Sequence, residues 1–438
     1  MRLLIFFCLS VSVSLPAAAD DLLTLYARAV LSSPELQGSQ FALDIAKAQE
    51  DQAFGKLLPS AQITGNYSQN RLHYYRHSTA VNPNVLTYPG KRATLAVRQP
   101  LFDLQSYLLM KSQESRTRQG EENLQSAQQK LIFDLLERYV DALEAMDKSA
   151  IIKDELQSNE KLLARVKAMQ ERQMVTITDL YELQARVETL RTQLIDSDND
   201  AKIALEKLRE LTGDKVANLQ AVRLEAVLPP PDGNIESWSQ QVGQINPEIS
   251  ALKHDMEAAR QSISAYQAGH LPRLELQVNG YYSDTSFNNQ QSPPYDVGSI
   301  GVEATVPLFE GGITSARVRE AEARYGLSRT KLEQKQREFE KLIRSAFLDM
   351  ASSPARSRAT DQEVAASEKS RNSMEKGYEL GVVTIVHLLD TQKQLSEARK
   401  NQLQSRYRYF KARSSLLYLA GQLVIEELVK FNKWLVAK

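Results

Sequence analysis

The sequence predicts a mixed α + β membrane protein, in which long antiparallel coiled-coil helices are joined to four membrane-spanning strands. Three observations predict it: an export signal with no later membrane-spanning apolar stretch, an internal repeat about half the chain long, and pairs of alternating strands set between very long proline-free stretches.

The N-terminus carries Arg2, an apolar run from Leu3 to Leu15 broken only by serines, and Ala17-Ala18-Ala19. That is the pattern of a secretory signal peptide covering residues 1–19, with Asp20 as the first mature residue. The single cysteine, Cys8, falls inside the apolar run and not at the cleavage site, so neither a lipid anchor nor a disulfide is expected. Beyond the signal, no stretch approaches the ~18 apolar residues of a membrane-spanning helix. An exported chain of this kind is either soluble or crosses a membrane as a barrel. Lys+Arg and Asp+Glu are equal at 54 each, so the basic excess that nucleic-acid binding demands is missing and that class is set aside.

The chain is written twice. Pro34-Glu35-Leu36 recurs as Pro247-Glu248-Ile249, and Leu58-Pro59 as Leu271-Pro272. Gln99-Pro100-Leu101-Phe102 recurs as Val306-Pro307-Leu308-Phe309, Thr176-Ile177 as Thr384-Ile385, and Gly213 as Gly421. The landmarks keep their order and nearly constant separations, which marks a duplication. The resulting layout is a first repeat over residues 20–228, with strands within about 60–101 and a hairpin tip near 172–179. A Pro229-Pro230-Pro231-Asp232-Gly233 linker occupies 229–235. The second repeat spans 236–421, with strands at about 273–308 and a tip near 380–388, and residues 422–438 form a C-terminal tail. Pro59, Pro100, Pro272 and Pro307 mark helix-to-strand borders, because proline is disfavoured in helix interiors.

After Pro59, Ala61, Ile63, Gly65 and Tyr67 alternate with Gln62, Thr64, Asn66 and Ser68. Ala93, Leu95 and Val97 alternate with Arg92, Thr94 and Arg98. In the second repeat Leu274, Leu276 and Val278 oppose Glu275, Gln277 and Asn279, and Ile300, Val302, Ala304 and Val306 oppose Gly301, Glu303 and Thr305. A period of two puts one face in an apolar medium and the other in water, as in membrane barrels and also in half-buried hairpins of soluble domains. Aromatic residues near the run ends (Tyr67, Tyr74, Tyr75, Phe102, Tyr281, Tyr282, Phe309) fit an interfacial girdle. Four strands leave two edges that hydrocarbon does not tolerate, so the barrel reading requires several chains in one barrel.

Residues 104–171 hold no proline and are rich in helix formers, enough for a rod of roughly 100 Å. Residues 21–56 and 179–211 together supply the same length. The second copy repeats this with Pro354 inside its long stretch, where a kink or break is expected. Leu180, Leu183, Val187, Leu190 and Leu194 are spaced as a coiled-coil seam.

The hairpin tips carry a resemblance. Val175-Thr176-Ile177-Thr178-Asp179-Leu180, the run from Tyr378 to Asp390, and Leu208-Arg209-Glu210-Leu211-Thr212-Gly213 resemble the TolC family of outer-membrane efflux and secretion channels, over essentially the whole mature length. The resemblance implies a homotrimer whose four strands per chain complete a twelve-stranded barrel in the outer-membrane lipid. It also implies a helical barrel across the periplasm that narrows at the hairpin tips. A periplasmic adaptor protein and an inner-membrane ABC or proton-driven transporter would dock there and supply the energy, in keeping with the lack of a phosphate-binding loop in the sequence. By the same resemblance Thr178, Asp179 and Tyr378 belong to the network that closes the tip, and Asp390 to a pore-constricting acidic ring. His387 stands where the family's prototype has a second acidic ring, and Val383 where it has an arginine, so one closing ion pair is missing.

Other constellations lead nowhere catalytic. His73 and His77 sit in a hairpin loop, and His254 and His270 lack ligand partners at metal spacing, so neither metal nor cofactor is expected. No Ser/His/Asp group sits in a catalytic context, and the carboxylates are spread over solvated helix faces, so the chain does not read as an enzyme. The functional expectation is an exit duct for protein or small-molecule cargo. Type I secretion is favoured by the missing anchor cysteine and the tip residues, with multidrug or metal efflux as the alternative. A secreted coiled-coil structural protein is the reading from another class, and the strand pairs count against it.

Overall fold

The computed structural model describes residues 21–73, 85–216, 219–222, 228–285 and 293–436. The signal peptide, Cys8, Tyr74, Tyr75 and His77 lie outside the described residues. The order of elements is α1 (Leu22–Ser32), α2 (Pro34–Gly55), β1 (Ser60–His73), β2 (Val85–Phe102), α3 (Leu104–Glu171), α4 (Ile177–Thr212) and β3 (Ala221–Val222). There follow α5 (Ile235–Ile245), α6 (Pro247–Ala268), β4 (Arg273–Thr285), β5 (Tyr295–Thr305), α7 (Ile313–Glu379), α8 (Ile385–Leu419), α9 (Ile425–Asn432) and β6 (Leu435–Val436). The chain divides into two compact units. One comprises residues up to 37, 125–246 and 337–438, and the other comprises 38–124 and 247–336.

The second unit holds the four-stranded antiparallel sheet, in the order β1-β2-β4-β5. Its register carries the sequence alternation straight across the strands. Ala61 lies opposite Val97, Val97 opposite Val278, and Val278 opposite Ile300. Residues directly opposite in antiparallel strands share a face, so these four side chains form one row. Ile63, Leu95 and Gly280 form the next row in the same way. Among the described residues nothing covers this apolar face: Ile63 is 78% exposed, Ile300 74% and Val302 62%. The opposite face carries Gln62, Asn279 and Ser299 on one row and Arg98 and Gln277 on another. Strand β5 ends at Thr305, short of the expected 308, because Pro307 has no N–H to give the ladder. Leu308 and Phe309 follow it fully exposed. Beside the sheet, α2, α3 and α6 meet through small side chains. Ser112 Oγ lies 2.8 Å from the carbonyl of Ala258, to which it donates, and Ala258 and Ala265 are fully buried. Small residues at such contacts let long helices approach closely.

The other unit is helical, apart from a short β3-β6 pairing. Its two copies end their second hairpin helices in the same way. Gly213 caps α4 at φ 74°, and Ser32 Oγ donates to the carbonyl of Leu211 at 3.2 Å. Gly421 takes φ 72° after α8, and Asn246 Nδ2 donates to the carbonyl of Leu419 at 2.9 Å. Residues 422–438, expected as a tail, instead contain α9 and β6. They place Phe431 and Trp434 against Tyr409 and Phe410, with the Arg413 guanidinium 5.3 Å from the Trp434 ring centre. A cationic side chain over an indole is favourable and helps pin this segment.

Of the kink or break expected at Pro354, a break does not occur: α7 runs through the proline for 67 residues. Proline removes one N–H and crowds the preceding turn. Around it, Ser353 Oγ donates to the Asp349 carbonyl at 2.6 Å, and the Asp349 carboxylate accepts from Arg408 of α8, also at 2.6 Å. The second of these bonds ties α7 to α8 within about one and a half turns of the proline. Among the described residues no helix is long and apolar enough to cross a membrane.

Candidate functional site

The two hairpin tips lie in the same unit, and both are built by one recipe. Helix α3 ends in a Schellman turn: the N–H of Met174 donates to the Met169 carbonyl at 2.9 Å and that of Gln173 to Gln170 at 2.8 Å. Helix α7 ends identically 208 residues on (169 to 377), with Val382 donating to Gly377 and Gly381 to Tyr378, both at 3.0 Å. This turn requires a left-handed residue. Tip two places Gly381 there at φ 74°, whereas tip one places Gln173 at φ 61°. Each second helix then starts from a threonine, Thr176 or Thr384.

The starts differ in chemistry. At tip one, Asp179 and Thr176 form a capping box. The Asp179 N–H donates to Thr176 Oγ1, and the Thr176 N–H to Asp179 Oδ2, both at 3.2 Å. Two otherwise unpaired helix donors are satisfied, and the carboxylate lies at the positive end of the helix. The same offset carries Asp179 to His387. No carboxylate stands there to close the box, and Thr384 makes no side-chain cap.

An apolar plug joins the hairpins. Leu162, Val166, Leu180 and Leu183 of the first are buried with Ile385 and Leu388 of the second, flanked by Val175, Met374 and Tyr378. The expected seam is observed, since Val187 and Leu190 continue it and Leu194 packs beside them. Tyr378 brings a phenol into this apolar surrounding. Burial, and then the negative charge of Asp179, push its pKa above the ordinary value of 10.0. Its oxygen is buried without a hydrogen-bond partner in the chain. The phenol therefore stays protonated as an available donor close to Asp179.

Of the remaining expected residues, Thr178 is exposed on the first turn of α4. His387 and Asp390 are both exposed, three residues apart on α8, and Asp390 accepts a 2.9 Å bond from Gln394. The structure thus brings Asp179 and Tyr378 together, sets His387 and Asp390 on one face of α8, and leaves Thr178 free toward solvent. Val383 is half-buried, and one of its methyl carbons would lie 2.7 Å from a Cβ at Gly377, which accounts for the glycine there.

Three features escaped the sequence reading. Arg165 of α3 and Glu379 of α7 form a 2.8 Å ion pair between the hairpins, next to Tyr378. Inside the hairpins, Arg191–Glu160 at 2.9 Å recurs as Arg399–Glu368 at 2.8 Å, again 208 residues on (191 to 399). Applying the repeat offset to the charges, and not only to prolines and threonines, would have found this pair. Being half exposed, each such pair contributes below about 1 kcal/mol. The third feature is a polar layer next to the plug. Asn159 Oδ1, Gln392 Oε1 and Ser396 Oγ are buried without partners in the chain and border a cavity of about 80 Å³. That is polar and roomy enough for ordered water. The hairpins are thus joined by an apolar layer at the tip and an under-bonded polar layer next to it, an arrangement easier to separate than a continuous apolar seam.

Comparison with known proteins gives a family match in both copies. Residues 25–214 and 238–422 match the model of the family described as outer membrane efflux protein. The chain is 26% identical to the outer membrane protein TolC of Escherichia coli (strain K12), over 94% of this chain and 85% of that protein. It is 26% identical to the proteases secretion protein PrtF of Dickeya chrysanthemi, over 95% of this chain and 92% of that one. The solved structure of CusC superimposes with a TM-score of 0.81 at 19% identity, covering 94% of this chain and 95% of CusC, which shows a shared fold.

Proposed function

Because the chain belongs to the outer membrane efflux protein family, a family of transport channels and not of enzymes, and makes an outer-membrane exit duct for secretion or efflux, we propose that three copies complete the duct and that the two hairpin tips are its gate. The observation that carries this is the uncovered apolar face of the sheet, in register across four strands, with β1 and β5 each left with an open edge. In hydrocarbon every backbone N–H and C=O must be paired, so the sheet must close on other copies. Strands alternate in direction from β1 to β5. A β5 edge therefore meets the β1 edge of the next copy antiparallel, and a closed barrel of twelve strands forms without a parallel joint.

At the tips, Thr178, Asp179, Tyr378, His387 and Asp390 hold or line the closed gate. A periplasmic adaptor and an inner-membrane transporter engage the tips and open it. The cargo reading is type I secretion of protein, supported by likeness to PrtF and to the alkaline protease secretion protein AprF of Pseudomonas aeruginosa, 28% identical over 77% of this chain. The test is planar-bilayer conductance of the purified mature protein beside Asp179→Ala. Discrete uniform steps that lengthen in open time in the variant support channel and gate together. Silence from both proteins sinks the reading. Deleting the chromosomal copy separates the cargoes: loss of a secreted protein supports type I secretion, and drug or metal sensitivity with normal secretion supports efflux.

A further inference from the structure

Just beyond Pro354, helices α7 and α8 border a cleft of about 470 Å³ that also reaches Glu144 of α3. Its lining includes three cations, Arg356 from α7 and Arg408 and Lys411 from α8. Two of these are already committed. Arg408 donates to Asp349 at 2.6 Å, and Lys411 pairs with Asp141 at 2.6 Å and Glu144 at 2.8 Å. Arg356 is not. Among the described residues its bond is a long 3.4 Å contact from Nη2 to Ser352 Oγ, and its Nη1 is buried with no partner there. A second orphan lines the same cleft: Ser405 is 3% exposed, and its Oγ is also buried without a partner.

Both orphans are hydrogen-bond donors. A buried guanidinium N–H left unmade is among the costlier omissions in a folded chain. A cation in the cleft would be repelled by Arg356, and a neutral acceptor would leave the charge unbalanced. An oxyanion satisfies both needs, since the guanidinium fork matches two oxygens of a carboxylate or phosphate and a hydroxyl supplies a further donor. Two carboxylates line the cleft: Glu144, already paired with Lys411, and Glu363, which is exposed and opposes the anion. As it is exposed, water screens it, and it sets the strength of binding without abolishing it.

We propose that this cleft is a binding site for a small free oxyanion, held by Arg356 Nη1 and Ser405 Oγ beside the ion-paired Arg408 and Lys411. The bound anion ties α7 to α8 beside the proline that weakens α7. The test is isothermal titration of the full mature protein in detergent, in chloride buffer, with inorganic phosphate in one arm and acetate in the other. Saturable binding is expected in the wild type. Arg356→Gln should weaken it about ten- to hundredfold, through loss of a charge-assisted bond. Glu363→Gln should tighten it several-fold, and this surface change leaves folding untouched. Arg356→Gln removes a half-buried cation with one buried, unpaired N–H group, so its Tm without anion should match or exceed the wild type. Tight phosphate with no acetate binding assigns the site to tetrahedral anions, and the converse assigns it to carboxylates. No saturable heat with either probe overturns the proposal and points to a neighbouring copy's side chain filling the cleft. Binding unchanged in Arg356→Gln overturns it equally.

Discussion

The two hairpin tips share a backbone and differ in what stabilises it. Tip two has the better turn, with Gly381 in the left-handed position that tip one fills with Gln173. Tip one has the better helix start, with the Thr176–Asp179 box that His387 denies to tip two. Each tip is therefore strong where the other is weak. The difference teaches that duplication preserved the geometry, which the long helices impose, while the capping chemistry was free to diverge. It also distributes charge unevenly: the negative charge that raises the Tyr378 pKa comes from tip one, while tip two supplies the phenol.

The largest test of the comparison lies at the far ends of the second helices. A Cβ on Gly421 would lie 2.8 Å from Asn246 Cα and 2.9 Å from the Ile245 carbonyl, both rigid backbone, at a positive φ. Gly421→Ala should destabilise by about 3 kcal/mol or more in chemical denaturation. Gly213→Ala meets only the Ser32 side chain, at 2.9 Å, and should lose about 1–2 kcal/mol. Equal losses would show that the two copies are less distinct than their contacts imply.

Next come the turns. Gln173→Gly should stabilise tip one by about 1 kcal/mol, and Gly381→Gln should weaken tip two by a similar amount, read as amide-exchange protection at each tip. The caps are expected to give slightly less. Asp179→Ala should cost about 1 kcal/mol, and His387→Asp should gain about 0.5–1 kcal/mol by building the missing box. A His387→Asp variant with unchanged protection would show that Thr384 is not placed to use it.

The smallest effect is at Tyr378. Its folded pKa lies above the ordinary phenol value, so the native tip holds this proton more tightly than the unfolded chain. The corresponding stability is complete below pH 10.0 and is lost as pH rises beyond it. Tyr378→Phe should abolish that alkaline loss and leave neutral-pH stability the same or up to about 1 kcal/mol higher, because the buried hydroxyl has no partner. Alkaline melting curves of the two proteins that superimpose would remove Tyr378 from the tip's electrostatics.

Sequence by itself determined the elements whose cause is local. Alternation from Ala61 to Tyr67 and from Leu274 to Val278 follows from a period of two, and the seam from Leu180 to Leu194 from the helical repeat. The duplication located both tips, since Thr176 and Thr384 could be aligned without any structure. Only the tertiary structure decided what depends on neighbours distant along the chain. Pro354 predicts a kink or break when taken alone, yet α7 continues through it, packed beside α8 where Arg408, far away in sequence, bonds Asp349. Asp179 could be chosen from its place in a motif, but its closeness to Tyr378 exists only once four helix ends meet. Likewise Arg356 and Ser405 look ordinary in a polar helical sequence, and line one cleft only when packing buries Arg356 Nη1 and Ser405 Oγ without a hydrogen-bond partner among the described residues. Propensity and periodicity act over a few residues and are written in the chain, whereas burial and charge compensation are properties of the assembled neighbourhood.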